Sequence, residues 1–303
     1  MPQSSFFGNV WGIARESAKQ WVEVNATRLS AAIAFYSILS IAPLFIIAIA
    51  IAGQVLGPEA AAGELKKQIS ETVGQPGAEV VQTAIANADR PKAGVVATII
   101  GVATLLFGAS GVFGELQDAL NTAWHVKPKE GRGVWGMIRA RFLSFGMVVV
   151  IGFLLLISLV IATTLSSFGG YLSGLVPGLP VLMQVANFVI SFLVVTTLFA
   201  LLFKVLPDAK IAWRDVWVGA AVTSALFTIG KYAIGLYLGK AAVATPFGAA
   251  GSLVAFVVWL YYSGLILFFG AILTKVTAEH AGRKITPSEN AEIVPPADAK
   301  PRV

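Results

Sequence analysis

One lysine lies inside an apolar run that holds no other charged residue, and its chemistry is the first to explain. Lys231 falls within residues 216–238. An ionisable side chain inside a membrane-length helix costs a few kcal/mol to insert and usually faces a partner or an aqueous cavity. Alternatively, its ammonium group extends to the membrane surface, because Lys231 lies only about 13 Å from the outer end of its run at about 1.5 Å per residue.

A second unusual run, residues 29–53, carries no charge but contains a proline and several polar side chains. Pro43 lacks an amide hydrogen, so it frees the carbonyl of Leu39 about 11 residues into the run. Lys231 lies about 16 residues into its own run, which puts both features within about two helical turns of the same depth. Broken helices near the membrane midplane are typical of transporter sites.

Aromatic side chains with polar groups occur in the middle of the last apolar run, GAAGSLVAFVVWLYYSG. Buried tryptophan and tyrosine need hydrogen-bond partners, so they either pack in a core or line a cavity that binds an amphiphile. The three runs together suggest one polar cavity for transport. Its candidate residues are Tyr36, Ser37, Ser40, Pro43, Lys231, Trp259 and Tyr262.

Acidic and amide side chains follow the second apolar run, where its helix is expected to leave the membrane. Glu115 and Asp118 share one helix face, and Asn121 follows one turn later. These three residues form a candidate cytoplasmic gate or cation site. The alternative is a solvated helix extension, whose ion pairs contribute at most about 1 kcal/mol each. Candidate basic partners in neighbouring loops are Arg139, Arg141 and Lys204.

The sequence contains none of the usual constellations for catalysis or metal binding. It has no cysteine, which excludes disulfides, thiolate nucleophiles and cysteine zinc sites. Its two histidines, His125 and His280, are far apart in sequence, and we interpret them as ordinary residues of the membrane interface. The glycines of FGASGVFGE lie in an apolar helix with no preceding strand, unlike a phosphate-binding loop. We therefore predict no enzyme activity, no metal and no cofactor.

Composition and hydropathy predict an all-α, polytopic integral membrane bundle. Of 303 residues, 56% are hydrophobic and 13% are charged, whereas soluble domains carry about 25% charged residues. A membrane span needs about 20 apolar residues. Six such runs occur, at about 29–53, 94–114, 142–165, 181–203, 216–238 and 249–273. Outside them we expect an amphipathic N-terminal helix at 1–28, which lies at the interface or packs on the bundle, an external helical cap at 54–93, and a disordered tail at 281–303.

The distribution of lysine and arginine predicts the orientation of the bundle. Sixteen of these residues fall on the side of both termini and five on the other side. Because cytoplasmic loops carry the excess of positive charge, both termini are predicted to be cytoplasmic. The run 29–53 starts late and is too long for a cleavable signal, so we expect a retained anchor. This orientation accounts for the net charge of +6 without nucleic acid as a partner.

Four segments together resemble the YihY/BrkB family of bacterial inner-membrane proteins. They are RLSAAIAFYSILSIAPLF, FGASGVFGELQDALNTAWHV, KVLPDAKIAWRDVWVGA and TPFGAAGSLVAFVVWLYYSGLILFFGAILT, which lie in that order between Arg28 and Thr274. The resemblance implies a six-helix protein of the inner membrane. Members have been labelled ribonuclease BN-like, but a metal-dependent nuclease needs clustered histidines and carboxylates, which this sequence lacks. A role in transport or lipid export has also been suspected for the family.

Two functions of different classes are compatible with these features. The first is a transporter or exporter of an amphiphilic, lipid-like solute, with a cavity lined by helices 1, 5 and 6. The alternative is a non-transporting scaffold that organises envelope machinery through the cap and the basic loops. In both cases the expected partners are membrane lipids, and in the first also an unknown amphiphilic or small solute. A one-sided cavity favours transport, and a solid bundle favours a scaffold.

Overall fold

The computed structural model describes residues 6–39, 111–129, 179–241, 248–283 and 285–294, with the single positions 57, 59 and 63. Labels below number only the elements in these ranges. The helices are α1 (Phe6–Glu23), α2 (Ala26–Leu39), α3 (111–123), α4 (Leu179–Val205), α5 (Trp213–Ala241) and α6 (Gly248–His280). The strands are β1 (Val126–Pro128), β2 (Ala209–Lys210), β3 (Thr286–Pro287) and β4 (Ala291–Ile293).

Three helices are long and apolar enough to cross a membrane, and they coincide with three of the predicted runs. Their apolar parts are Gln184–Val205, Trp213–Ile234 and Phe256–His280. The shorter apolar helix Ala26–Leu39 begins the run 29–53. The predicted class, an all-α membrane bundle, is confirmed. The count of six spans remains a prediction, because nearly all of 94–114 and all of 142–165 lie outside the described residues. The same holds for the cap at 54–93, apart from its three single positions.

Helices α5 and α6 pack with almost no space between their backbones. A Cβ atom added to Gly219 would overlap the hydroxyl of Thr274, and one added to Gly270 would overlap the hydroxyl of Thr223. Each threonine hydroxyl donates to the glycine carbonyl one turn earlier in its own helix, at 2.8 Å for Thr223 and 2.9 Å for Thr274. Such small-residue contacts hold membrane helices together, since lipid provides no hydrophobic drive for their association.

Two further close contacts fix the neighbours of α6. The ring of Tyr262 lies over Gly230 of α5, and Ser30 of α2 lies against Gly264. Both contacts leave no room for a Cβ atom on the glycine. At about 100° per residue, Tyr262 and Gly264 point to different sides of α6, so α5 and α2 pack on different sides of that helix.

The hydrophobic core lies at one end of the bundle, which we call the packed end and define as residues 113–126, 199–220 and 265–276. Phe203, Leu120 and Phe268 are fully buried there. The indole nitrogen of Trp124 donates to the carbonyl of Ala271 at 3.1 Å, so that α3 is tied to α6. At this end the side chains interlock as they do in a soluble core.

Four short strands cover the packed end. β1 pairs with β4 and β2 pairs with β3, both antiparallel. Asn121 of α3 accepts the amide hydrogen of Asp208 at 2.8 Å and donates to its carboxylate at 3.1 Å, which ties α3 to the turn before β2. The predicted disorder of the tail is therefore wrong for residues 285–294, because β3 and β4 are held by backbone hydrogen bonds. Residues 295–303 lie outside the described residues.

Helix α1 has one packed face and one exposed face. The indole nitrogen of Trp21 donates to the carbonyl of Leu265 at 3.1 Å, and Ser17 is fully buried. On the other side Trp11, Arg15 and Val22 are exposed. The predicted N-terminal helix exists and packs on the bundle, while its exposed face keeps the composition expected at a membrane interface.

We expect Gly270→Ala to destabilise the protein strongly. The added methyl group has no room beside Thr223, and overpacking costs about 1–3 kcal/mol or more. Thermal unfolding in detergent, followed by tryptophan fluorescence, measures the change.

The matched control is Gly12→Ala in α1, where nothing lies within 4 Å of the added Cβ atom. Removing a helical glycine there is expected to be neutral or to stabilise by about 0.5–1 kcal/mol. Equal melting temperatures for the two variants would contradict the interlocked packing of α5 and α6.

Candidate functional site

One continuous face of α4, the seam, changes from exposed to buried along the described helix. Leu182, Val185, Val189, Phe192, Thr196, Phe199 and Phe203 follow one another at alternating spacings of three and four residues, so they share one face. Their exposure changes along that face. The first three are 64%, 54% and 46% exposed, whereas the last three are 4%, 9% and 0% exposed. The face of α4 that fills the core at the packed end is therefore uncovered toward its beginning.

Contacts between aromatic rings connect the buried part of this face to α5 and α6. The ring centroids of Phe199 and Phe227 are 5.9 Å apart, and those of Phe227 and Trp259 are 5.0 Å apart. Trp259 then stacks on Tyr262 at 6.0 Å. We call Phe199, Phe227, Trp259 and Tyr262 the aromatic floor. We call the positions beyond it, Leu182, Val185 and Val189 of α4 with Lys231 and Ile234 of α5, the interior cleft.

Lys231 lies on the interior side of α5. At 100° per residue it is on the opposite side of the helix from Ile229 and Leu236, which are strongly exposed. It shares its side with Phe227 and Ile234, which pack against Phe256 and Trp259. Lys231 is nevertheless partly exposed. It stands one turn, about 6 Å, beyond Phe227 of the aromatic floor.

Hydroxyl groups continue the polar side of α5 and α6 toward the core. Ser224, Thr228 and Lys231 follow one another at spacings of four and three residues, and the Thr228 hydroxyl donates to the Ser224 carbonyl at 2.8 Å. Among the described residues, the buried hydroxyls of Ser224 and Ser263 have no hydrogen-bond partner. Buried polar atoms without a protein partner are expected to bind water or a ligand. Neither serine was predicted from the sequence, although the helical spacing from Ser224 to Lys231 places these two residues on one side of α5.

Trp259 and Tyr262, the two aromatic candidates of α6, pack against other protein side chains and are not free to bind a solute. Trp259 is almost fully buried. The Tyr262 hydroxyl donates to the carbonyl of Leu226 at 2.8 Å, so it joins α6 to α5. They belong to the aromatic floor, and the polar group of Tyr262 is bonded to protein.

The candidates of the first run divide between two sides of α2. Ser37 lies on the same side as Ser30 and near Ile38, which packs against the aromatic cluster of Trp259. Tyr36 is on another side, exposed, and its ring lies 3.8 Å from the Cβ position of Gly111 at the start of α3. The structure brings Ser37, but not Tyr36, toward α6. Ser40 and Pro43 lie outside the described residues.

The proposed gate residues do not form one cluster. Burial raises the pKa of the Glu115 carboxyl above its ordinary value, and the nearby Asp118 carboxylate raises it further. Asn121 instead holds Asp208 and has a structural role. The ammonium group of Lys204 donates to the carbonyl of Ile211, away from this pair. Arg139 and Arg141 lie outside the described residues.

Two polar contacts at the packed end were not predicted from the sequence. Lys275 of α6 lies with its Nζ 2.6 Å from Nδ1 of His125, so His125 is not an ordinary interfacial residue. Asp215, in the first turn of α5, accepts two hydrogen bonds from Arg283, one of them 2.9 Å long. The partners are separated by 150 and 68 residues, and no local pattern marks them. Within the described ranges, no three His, Cys, Asp or Glu side chains form a group suited to a metal ion.

Comparison with known protein families shows to which family the chain belongs. The family model of "Virulence factor BrkB" matches residues 17–293, which include every element from α2 to β4 and the interior cleft. The chain belongs to the BrkB family. It is therefore an integral membrane protein of a bacterial family, and its resemblance to the YihY/BrkB sequences is confirmed.

The relatives of this BrkB-family chain are known as UPF0761 membrane proteins. One from Mannheimia succiniciproducens is 26% identical over 84% of this chain and 85% of the relative. Others, from Verminephrobacter eiseniae and Ralstonia nicotianae, are 28% and 26% identical over 58% and 52% of this chain. The chain spans only 40% and 34% of the length of those two relatives. No solved structure matches the chain.

We expect Tyr262→Phe to lower the free energy of unfolding by about 1 kcal/mol, because it removes one hydrogen bond to Leu226 and keeps the ring over Gly230. Chemical unfolding in mixed micelles measures the difference. Tyr232→Phe is the matched control, since Tyr232 is exposed, and it is expected to stay within about 0.5 kcal/mol of wild type. Indistinguishable stabilities for the two variants would contradict the packing role of Tyr262.

Proposed function

We propose that this BrkB-family protein is a transporter or exporter of an amphiphilic, lipid-like solute. The observation that carries the proposal is the seam of α4, which is uncovered at Leu182, Val185 and Val189 and closed at Phe199 and Phe203. A membrane bundle that is solid at one end and open at the other matches one state of an alternating-access carrier. A structural anchor has no need of an uncovered interior face.

The lining of the interior cleft suits an amphiphile. Its α4 wall is made of Leu182, Val185 and Val189, which favour an acyl or other apolar chain. Lys231 supplies a positive charge, which attracts an anionic headgroup. The buried hydroxyls of Ser224 and Ser263 support further hydrogen bonding near the same helices. An anionic lipid or a similar acidic amphiphile combines these properties.

The remaining expectations are part of the same proposal. We place the protein in the bacterial inner membrane with six spans and with both termini in the cytoplasm, so that the packed end and its four strands lie on the cytoplasmic side. Glu115 and Asp118 are then cytoplasmic acids beside the closed end of the pathway. We propose no enzymatic step, no cofactor and no nucleic acid for this function.

A scaffold is the second candidate, and one observation favours it. β1 to β4 join two loops and the C-terminal segment into a layer over the packed end, beside the exposed face of α1. Such a surface can hold a partner protein without any transport. The two functions differ in whether Lys231 and the cleft affect movement of a solute.

Flux measured in reconstituted vesicles tests the transport function. An acyl-labelled fluorescent phosphatidylglycerol serves as the probe, and reduction of the label by external dithionite reports its movement between leaflets. We expect wild type to move the probe, and we expect Lys231→Met to reduce the rate at least tenfold because the headgroup loses its counter-charge. Val189→Trp should reduce it similarly, since the indole fills the cleft.

Matched variants control for charge and for size. Lys210→Met removes an exposed lysine of β2, and Val205→Trp adds an indole at an exposed position near the end of α4. Both should keep the wild-type rate. If wild type and all four variants are equally inactive toward the lipid and toward chloride, measured with a chloride-sensitive dye, transport is contradicted and the scaffold is favoured.

A further inference from the structure

The buried lysine of α6 meets the histidine that follows α3. Lys275 is 9% exposed, and its Nζ lies 2.6 Å from Nδ1 of His125. An ammonium group donates to this nitrogen only when the imidazole is neutral and carries its proton on Nε2. The pair then holds one positive charge. A second proton would place two cations at hydrogen-bond distance.

The backbone around His125 links this pair to the strand layer. His125 has a left-handed φ of 54°, which is uncommon for a residue other than glycine. Its carbonyl accepts the amide hydrogen of Val294 at 2.8 Å, and β1 begins at the next residue. The turn at His125 is therefore tied to the strands by its backbone, and a movement of the imidazole away from Lys275 displaces this turn.

Carboxylates from two helices face the pair. Burial disfavours the charged form of Lys275, whereas Glu279 of α6 and Glu23 and Glu16 of α1 favour it, and Glu23 also acts on His125. Glu23 lies 3.8 Å from the ammonium group of Lys19, and on β1 and β4 the charges of Lys127 and Glu292 pair at 3.1 Å. Glu23 and Glu279 are exposed, so both carboxylates exchange protons with solvent.

Unpartnered polar atoms lie on the face of α1 that packs beside this pair. The hydroxyl of Ser17 and the side-chain carbonyl of Gln20 are buried without a hydrogen-bond partner among the described residues. The amide nitrogen of Gln20 donates to the Glu16 carboxylate at 3.1 Å. These groups, three residues apart on one helix face, are suited to bind a water molecule that relays a proton.

We propose that His125 and Lys275 form a proton-binding site and that the proton taken up there is the ion coupled to solute movement. The proton enters past Glu16 or Glu23 and binds to Nδ1 of His125. Lys275 keeps its own protons and loses its acceptor, so the contact between α6 and the turn before β1 opens. The binding site stands on its own geometry, whereas the coupling rests on the proposed transport function.

Burial lowers the pKa of the His125 imidazole below its ordinary value of about 6.5, and the Lys275 charge lowers it further, while Glu23 acts in the opposite direction. Below pH 6.5, His125 therefore binds more protons in the unfolded chain than in the folded protein. The free energy of unfolding falls as the pH falls through this window, until the folded protein also takes up its proton.

Histidine NMR tests the binding site directly, because the chain has only two histidines. In His280→Gln, isotope-labelled His125 is the single reporter, and its ¹⁵N shifts are followed from pH 4.5 to 8.5. We expect the proton on Nε2 at pH 7.5 and a midpoint below 6.5. Lys275→Met should raise that midpoint by at least 0.5 pH unit, since it removes the neighbouring charge. Lys210→Met is the control and should leave it unchanged.

Two readings would overturn the binding site: a proton on Nδ1 at pH 7.5, or equal midpoints with and without Lys275. Lipid flux under an imposed pH gradient then tests the coupling. Wild-type flux should change at least threefold with the gradient, and Lys275→Met flux should not. Gradient-independent wild-type flux overturns the coupling alone. Absence of any wild-type flux overturns the transport function, and the NMR result still decides whether the pair binds a proton.

Discussion

The contact of α5 with α6 through paired glycines and threonines is the constraint on which the rest of the structure depends. Gly219 accommodates Thr274, and Gly270 accommodates Thr223, so a shift of either helix by one residue would produce overlap. The threonine hydroxyls bond to carbonyls of their own helices, so both hydroxyls are satisfied at the contact. Packing of this kind is the main attraction available to helices within lipid.

The register of that contact decides which side chains face inward. It sets Tyr262 over Gly230, which brings Trp259 against Phe227 and forms the aromatic floor. Lys231, one residue after Gly230, is then turned to the interior side of α5. The core below the floor is closed by large aromatic rings, whereas the seam of α4 above it is uncovered. One helix contact thus leads to both the solid end and the interior cleft.

The class of the fold was predictable because long charge-free runs have few alternatives in water or in lipid. Lys231 could also be singled out, since one charge in such a run stands out. Which side of a helix faces inward was not predictable where nearly every residue is apolar, and for this reason the sequence did not separate Tyr36 from Ser37, which lie on different sides of α2. The contact of Lys275 with His125, between residues 150 apart, depends on tertiary structure alone. The tail was predicted to be disordered from its prolines, but residues 285–294 gain backbone partners in β1 and β2.

The central claim is that the interior side of α5 borders a water-accessible space, and cysteine accessibility in a bilayer tests it most directly. The chain has no cysteine of its own, so single-cysteine variants have no background. Thr228→Cys and Lys231→Cys lie on the interior side, and Ile229→Cys and Leu236→Cys lie on the lipid side. A charged, membrane-impermeant thiol reagent is expected to label the first two at least tenfold faster than the last two. Faster labelling of Ile229→Cys and Leu236→Cys, or equal rates for all four, would contradict the claim.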